Sequence, residues 1–162
     1  MRRTENGFTL VELLIAVGII AILAAIAVPN LLTAINRAKQ KRTMADMRSI
    51  STAWEARATD MARYNAAGIN GISTAITMDD VTVMIQPTYI KQVPRYDGWS
   101  NPFTCYVDQP LGGPSAGSYA IISGGRDGSV SATPYLGAFA SFDCDIIFSN
   151  GAFLAYPEGI QR

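Results

Sequence analysis

Glu12 is the only ionisable side chain in the 21-residue stretch Phe8–Val28, FTLVELLIAVGIIAILAAIAV, and it calls for a chemical explanation. A carboxylate at the centre of a membrane-crossing helix costs on the order of 2.5–3.5 kcal/mol on insertion scales. Glu12 lies nearer the end of the stretch than its centre, which leaves two readings. Either its side chain reaches the headgroups and does nothing more, or it finds a counter-charge. A cut between Gly7 and Phe8 would create that counter-charge, because the new α-ammonium would lie just over one helical turn away and the same group on a neighbouring copy could pair with Glu12. On the second reading a costly charge becomes an assembly signal.

Little else in the chain points to chemistry. Histidine is absent, which removes the side chain most used as a general base and as a metal ligand near neutral pH. Gly113-Pro114-Ser115-Ala116-Gly117 has the G-x-S-x-G spacing of a hydrolase elbow, yet a serine nucleophile needs a base that is missing here, so we read a flexible loop. Gly124 to Gly128 is rich in glycine but lacks the Lys-Ser/Thr pair of a phosphate loop. Cys105 and Cys144 stand far apart and outside any CxxC pattern, which leaves either one structural disulfide in an oxidising compartment or two free buried thiols. The 13 basic and 13 acidic side chains cancel, and nothing in that balance favours nucleic acid. We expect a protein that is not an enzyme.

These residues need elements to position them. A chain of 162 residues holds one modest domain, since domains commonly run to about 100–150 residues. The apolar stretch, as a helix rising about 1.5 Å per residue, matches a hydrocarbon core about 30 Å thick. The segment before it, MRRTENG (1–7), is polar and carries Arg2 and Arg3. The positive-inside rule therefore keeps the N-terminus cytoplasmic and exports everything after Pro29. Within residues 8–29, Gly18, Ala21, Ala24, Ala25 and Ala27 are small enough for helices to approach closely. Pro29 is expected to kink or locally melt the helix. Residues 30–68 continue as an amphipathic helix, giving one helix from about Phe8 to Ala66 with Gly68 as its C-cap. Met44, Met47, Ile50, Trp54, Ala58 and Met61 recur at spacings of three and four, an apolar stripe that a second layer must cover. Arg37, Lys39, Lys41 and Arg42 form a basic cluster, read as a solvated face or as a contact with anionic lipid or acidic groups of neighbouring copies.

From residue 69 to 162 glycine, proline and short β-prone runs dominate. MDDVTVMIQPTYI (78–90) reads as a short helix or turn ahead of Pro87. The strand candidates are 102–107, 119–123, 145–149 and 153–156. A small antiparallel sheet packed on the helix stripe makes an α+β domain.

Gly7-Phe8-Thr9-Leu10-Val11-Glu12-Leu13-Leu14-Ile15 resembles the prepilin signature of type IV pilins and of the pseudopilins of type II secretion. The resemblance implies a type IV pilin fold and cleavage after Gly7 by a prepilin peptidase that also N-methylates Phe8. It further implies docking of subunits through Phe8 and Glu12. Asp97-Gly98-Trp99-Ser100-Asn101-Pro102-Phe103 resembles the DPWGNPY-type stretch of the major-pseudopilin subfamily, and Tyr119 through Gly128 resembles its YxIxSxGADG stretch. In that subfamily the loop after the second stretch binds calcium. Carried over, this implies the Gly124 carbonyl and Asp127, with Asp143 or Asp145 as a further carboxylate, although residues 129–142 form a longer and more hydrophobic insertion than the family has. The competing reading makes these acids turn and strand-end residues. The implied partners are further copies in a filament, minor pilins or pseudopilins, and an inner-membrane platform driven by a cytoplasmic ATPase. The implied location is the bacterial inner membrane, single-pass with a periplasmic domain, then a periplasmic pseudopilus or an extracellular pilus.

Overall fold

A computed structural model describes residues 7–61, 74–108 and 117–159. Residues 1–6 of the expected leader 1–7, the expected cap at Gly68 and the loop Gly113–Ala116 lie outside these. The chain falls into two compact units, Met1–Arg37 and Ala38–Arg162.

In the first unit the described residues form the opening of helix α1 (Leu10–Asp60). Leucine and alanine favour a helix here, and no glycine or proline interrupts it except Gly18 and Pro29. The large apolar side chains from Leu10 to Ile35 are exposed. The helix runs unbroken through Pro29, so the expected local melting does not occur. The side-chain amide of Asn30 donates to the Ile26 carbonyl at 3.2 Å, next to the carbonyl that proline leaves without its usual donor. The Thr33 hydroxyl donates to the Pro29 carbonyl at 3.0 Å.

The second unit begins with the remainder of α1. Met44, Met47, Ile50 and Trp54 are buried as the stripe predicts, and full burial of one such side chain contributes about 1.5–3 kcal/mol. The stripe ends earlier than expected, because Ala58 is half-buried and Met61 exposed. After α1 come β1 (Thr74–Ile76), α2 (Met78–Ile85), β2 (Thr104–Val107), β3 (Tyr119–Ser123), β4 (Gly137–Phe139), β5 (Ile146–Ser149) and β6 (Ala152–Pro157). The short helix α2 starts on a reciprocal capping box between Thr77 and Asp80.

The strands form one sheet in the order β1-β2-β3-β5-β6-β4. All neighbours are antiparallel except β4 and β6, which pair in parallel. The expected all-antiparallel sheet is thus corrected to a mixed one. The hydrophobic insertion is the reason: it carries β4 past β5 and β6 to the sheet edge, where Phe139 is buried and its carbonyl accepts from Glu158 N at 2.7 Å. The core joins Met47 and Ile50 of α1 to Val81 and Ile85 of α2 and to Ile121 and Ile147 of the sheet. Trp54 stacks on Tyr119 at 4.8 Å. The Tyr119 hydroxyl bonds Glu55 and, at 2.6 Å, Ser51, and burial followed by the Glu55 bond pushes its ionisation above the usual phenol range.

The loop 95–103 seats against α1 through Gly98. Its N–H donates to the Thr43 hydroxyl at 2.9 Å, and a Cβ at Gly98 would run into the Lys39 backbone carbonyl. Asp97 is almost fully buried. Its carboxylate accepts from the amides of Trp99 and Asn101, both at 2.8 Å, and from the Ser123 hydroxyl at 2.7 Å, so its burial is compensated.

Of the two readings left open for the cysteines, free thiols are the one the fold contains: Cys105 is free and buried, and Cys144 is free and half-buried. Cys105 on β2 faces Ile121 of β3, whose partner on β5 is Phe148, four positions beyond Cys144. Cys144 itself lies in the turn before β5, and β3 stands between β2 and β5 in the sheet, so at least two strand spacings of about 4.8 Å separate β2 from β5, whereas a disulfide needs Cα atoms within about 7 Å.

Candidate functional site

Two places hold the residues singled out from the sequence. The first is the start of α1. Thr9 is the N-cap and Glu12 the third helical residue, and they bond reciprocally. Glu12 Oε2 accepts from Thr9 N at 3.0 Å and from Thr9 Oγ1 at 2.8 Å, while Glu12 N donates to Thr9 Oγ1 at 3.3 Å. This is a capping box, which supplies the carboxylate with local donors and fixes its position one turn from Phe8. Phe8 is exposed, and Gly7 has open space around it. The sequence reading overlooked Thr9, although Thr9-Leu10-Val11-Glu12 has the T-x-x-E spacing that marks such a box. The α1 helix that follows is long and apolar enough to cross a membrane. Farther along α1 in the basic cluster, Arg42 lies 3.6 Å from Asp46; Arg37 and Lys41 are exposed and Lys39 is half-buried.

The second place is the loop after β3. Gly124 is buried, Asp127 exposed and Asp145 buried. Asp143 is gripped in a two-pronged pair, with Arg126 Nε on its Oδ1 at 2.7 Å and Arg126 Nη2 on its Oδ2 at 2.6 Å. That hydrogen-bonded guanidinium holds the Asp143 carboxyl below the usual carboxylate range. Asp127 Oδ1 accepts from Ser129 N at 3.0 Å, and Asp145 Oδ2 from Ser131 N at 2.9 Å.

As a calcium site this set does not fit. Calcium takes six to eight oxygens, commonly with several carboxylates. Among the described residues no three Asp, Glu, Cys or His side chains are grouped to hold an ion, and the nearest cation to Asp143 is Arg126. One observation favours an ion: Asp145 Oδ1 is buried with no hydrogen-bond partner. A single open carboxylate oxygen falls well short of a calcium shell.

Comparison with known proteins adds independent findings. Residues 2–28 match the model of the prokaryotic N-terminal methylation motif. Residues 30–135 match the model of type II secretion system protein G. The chain is 30% identical over 133 residues to the type II secretion system core protein G of Aeromonas hydrophila, covering 78% of this chain and 87% of that one. Against the core protein G of Escherichia coli K12 the identity is 29% over 136 residues, 80% and 89% of the two chains. The type IV major pilin protein PilA of Myxococcus xanthus is 42% identical over 61 residues, covering 38% of this chain and 28% of that pilin. No solved structure matches the chain.

Proposed function

The chain belongs to the type II secretion system protein G family, and from that membership we propose that it is the major subunit of a secretion pseudopilus whose work is mechanical. The observation that carries this reading is a pair of adjoining matches, the methylation motif over 2–28 and the protein G family over 30–135, which together span the apolar helix and most of the domain. In this reading a prepilin peptidase cuts after Gly7 and methylates Phe8. The leader is cytoplasmic, α1 crosses the inner membrane, and the domain lies in the periplasm. Growth of the filament at the membrane pushes cargo outward, powered by a cytoplasmic ATPase acting through a platform, and minor pseudopilins join the same filament.

Recruitment runs through Glu12. Removing the leader leaves an ammonium on Phe8, and the capping box with Thr9 holds the Glu12 carboxylate at the same end of the helix. In a low-dielectric surrounding an unpaired carboxylate is strongly disfavoured, so the ammonium of an incoming subunit is its natural counter-ion. The exposed apolar side chains of Leu10–Ile35 are covered first by lipid and then by the same helices of neighbouring copies.

A surface type IV pilus is the second reading. It is supported by the PilA match, which covers 38% of this chain, against 78% for the Aeromonas relative.

The test uses the natively expressed protein. Intact mass should show loss of residues 1–7 and gain of one methyl group. Glu12→Ala should still insert in the membrane yet assemble few or no filaments. An unprocessed N-terminus, or normal filaments from Glu12→Ala, overturns the reading.

A further inference from the structure

We propose that the loop after β3 is closed by Arg126, acting as a built-in cation, and that this end of the domain needs no metal ion to hold its shape. The inference does not depend on which filament the chain builds. Arg126 and Asp143 are 17 residues apart, and they stand where the chain leaves for β4 and where it returns toward β5. Their two bonds, at 2.7 and 2.6 Å, use both oxygens of the carboxylate in the fork-to-fork geometry that gives arginine pairs their orientation.

Backbone contacts close the same junction. Arg126 N donates to the Phe142 carbonyl at 2.9 Å. Gly125 adopts φ +65°, and a Cβ there would sit 2.7 Å from the Cys144 carbonyl and 2.8 Å from that of Phe142. The two segments therefore touch backbone to backbone, and any added side chain would separate them. On the opposite side the Asn101 amide donates to the Gly125 carbonyl at 2.8 Å, tying the loop to the Asp97 segment. Asp127 and Asp145 accept from backbone amides. A divalent ion shared with Asp143 would have to displace the guanidinium or sit beside a like charge.

Clamping the base of the excursion has a structural purpose. Residues between Arg126 and Asp143 include the short edge strand β4 and the exposed Tyr135 and Leu136. With both ends pinned, this hydrophobic segment is presented in one place.

The experiment is hydrogen exchange on the full chain in detergent micelles, followed at 124–129 and 142–146, in millimolar calcium and then in excess chelator. The wild type should exchange equally in both. Arg126→Ala should raise exchange at both segments by about fivefold, the scale of a well-formed surface ion pair, while β2 and β3 keep their protection. Combining Arg126→Asp with Asp143→Arg should recover most of the loss, which a merely destabilised fold would not do. Loss of wild-type protection in chelator with recovery in calcium overturns the proposal, and so does unchanged exchange in Arg126→Ala.

Discussion

At the start of α1, Thr9 and Glu12 cap the helix together, and Glu12 is also the carboxylate that the proposed assembly uses. The capping box satisfies backbone donors at the end of α1 and at the same time fixes where the carboxylate sits. The two cysteines give a sharper contrast. Cys105 is fully buried, its Sγ 3.3 Å from Met78 Sδ, and burial pushes its thiol up to about 12. A raised thiol pKa stabilises the fold below the unfolded value of about 8.5, and that contribution is lost only as pH rises toward the folded one. At pH 8 the native protein should therefore take up one equivalent of an alkylating reagent, at half-buried Cys144, and a second only on unfolding. Two equivalents taken up at once by the native protein would show that the core around Cys105 opens readily. Arg126 was legible and missed: it stands where the family stretch SxGADG has alanine. The exchange of a methyl for a guanidinium 17 positions ahead of an aspartate signals an ion pair, but only folding shows which carboxylate it meets.

Among the elements, α1 was the most readable because its signals are local. An unbroken apolar run and a stripe at spacings of three and four need no knowledge of distant residues. Met47→Ala should cost about 2–5 kcal/mol, as buried large-to-small changes do, against under 1 kcal/mol for an exposed position such as Val83→Ala. Denaturant unfolding of the two variants in the same detergent checks this, and equal midpoints would show that the sheet does not bear on the stripe. The edges of the sheet were unreadable for the opposite reason. β4 is three residues long, Gly137–Phe139, and is defined by pairing with Ala155–Pro157, so no periodicity in its own sequence marks it. β1, equally short, was likewise unforeseen. Pro29 shows a different limit: a residue that disfavours a helix interior does not by itself end one, and α1 runs on through it.

At the scale of the whole molecule, the chain pairs two opposite solutions to the hydrophobic effect. One unit exposes its large apolar side chains along α1, and the other buries its own between helix and sheet. Surface of the first kind is stable only against lipid or other helices. The full chain should accordingly remain in the membrane pellet after alkaline carbonate washing, and its release into the wash would show that α1 does not span. The contact at Gly98 shows what this architecture requires in fine detail. One hydrogen atom is all the room left between the 95–103 segment and the Lys39 carbonyl. That segment acts as a shim of fixed thickness, and through Asp97, Asn101 and Gly125 whatever sets its seat also sets the level of the loop held by Arg126. Thickening the shim by a single methyl would tilt structure several bonds away, so the smallest residue in the chain sets the height of one of its most exposed features.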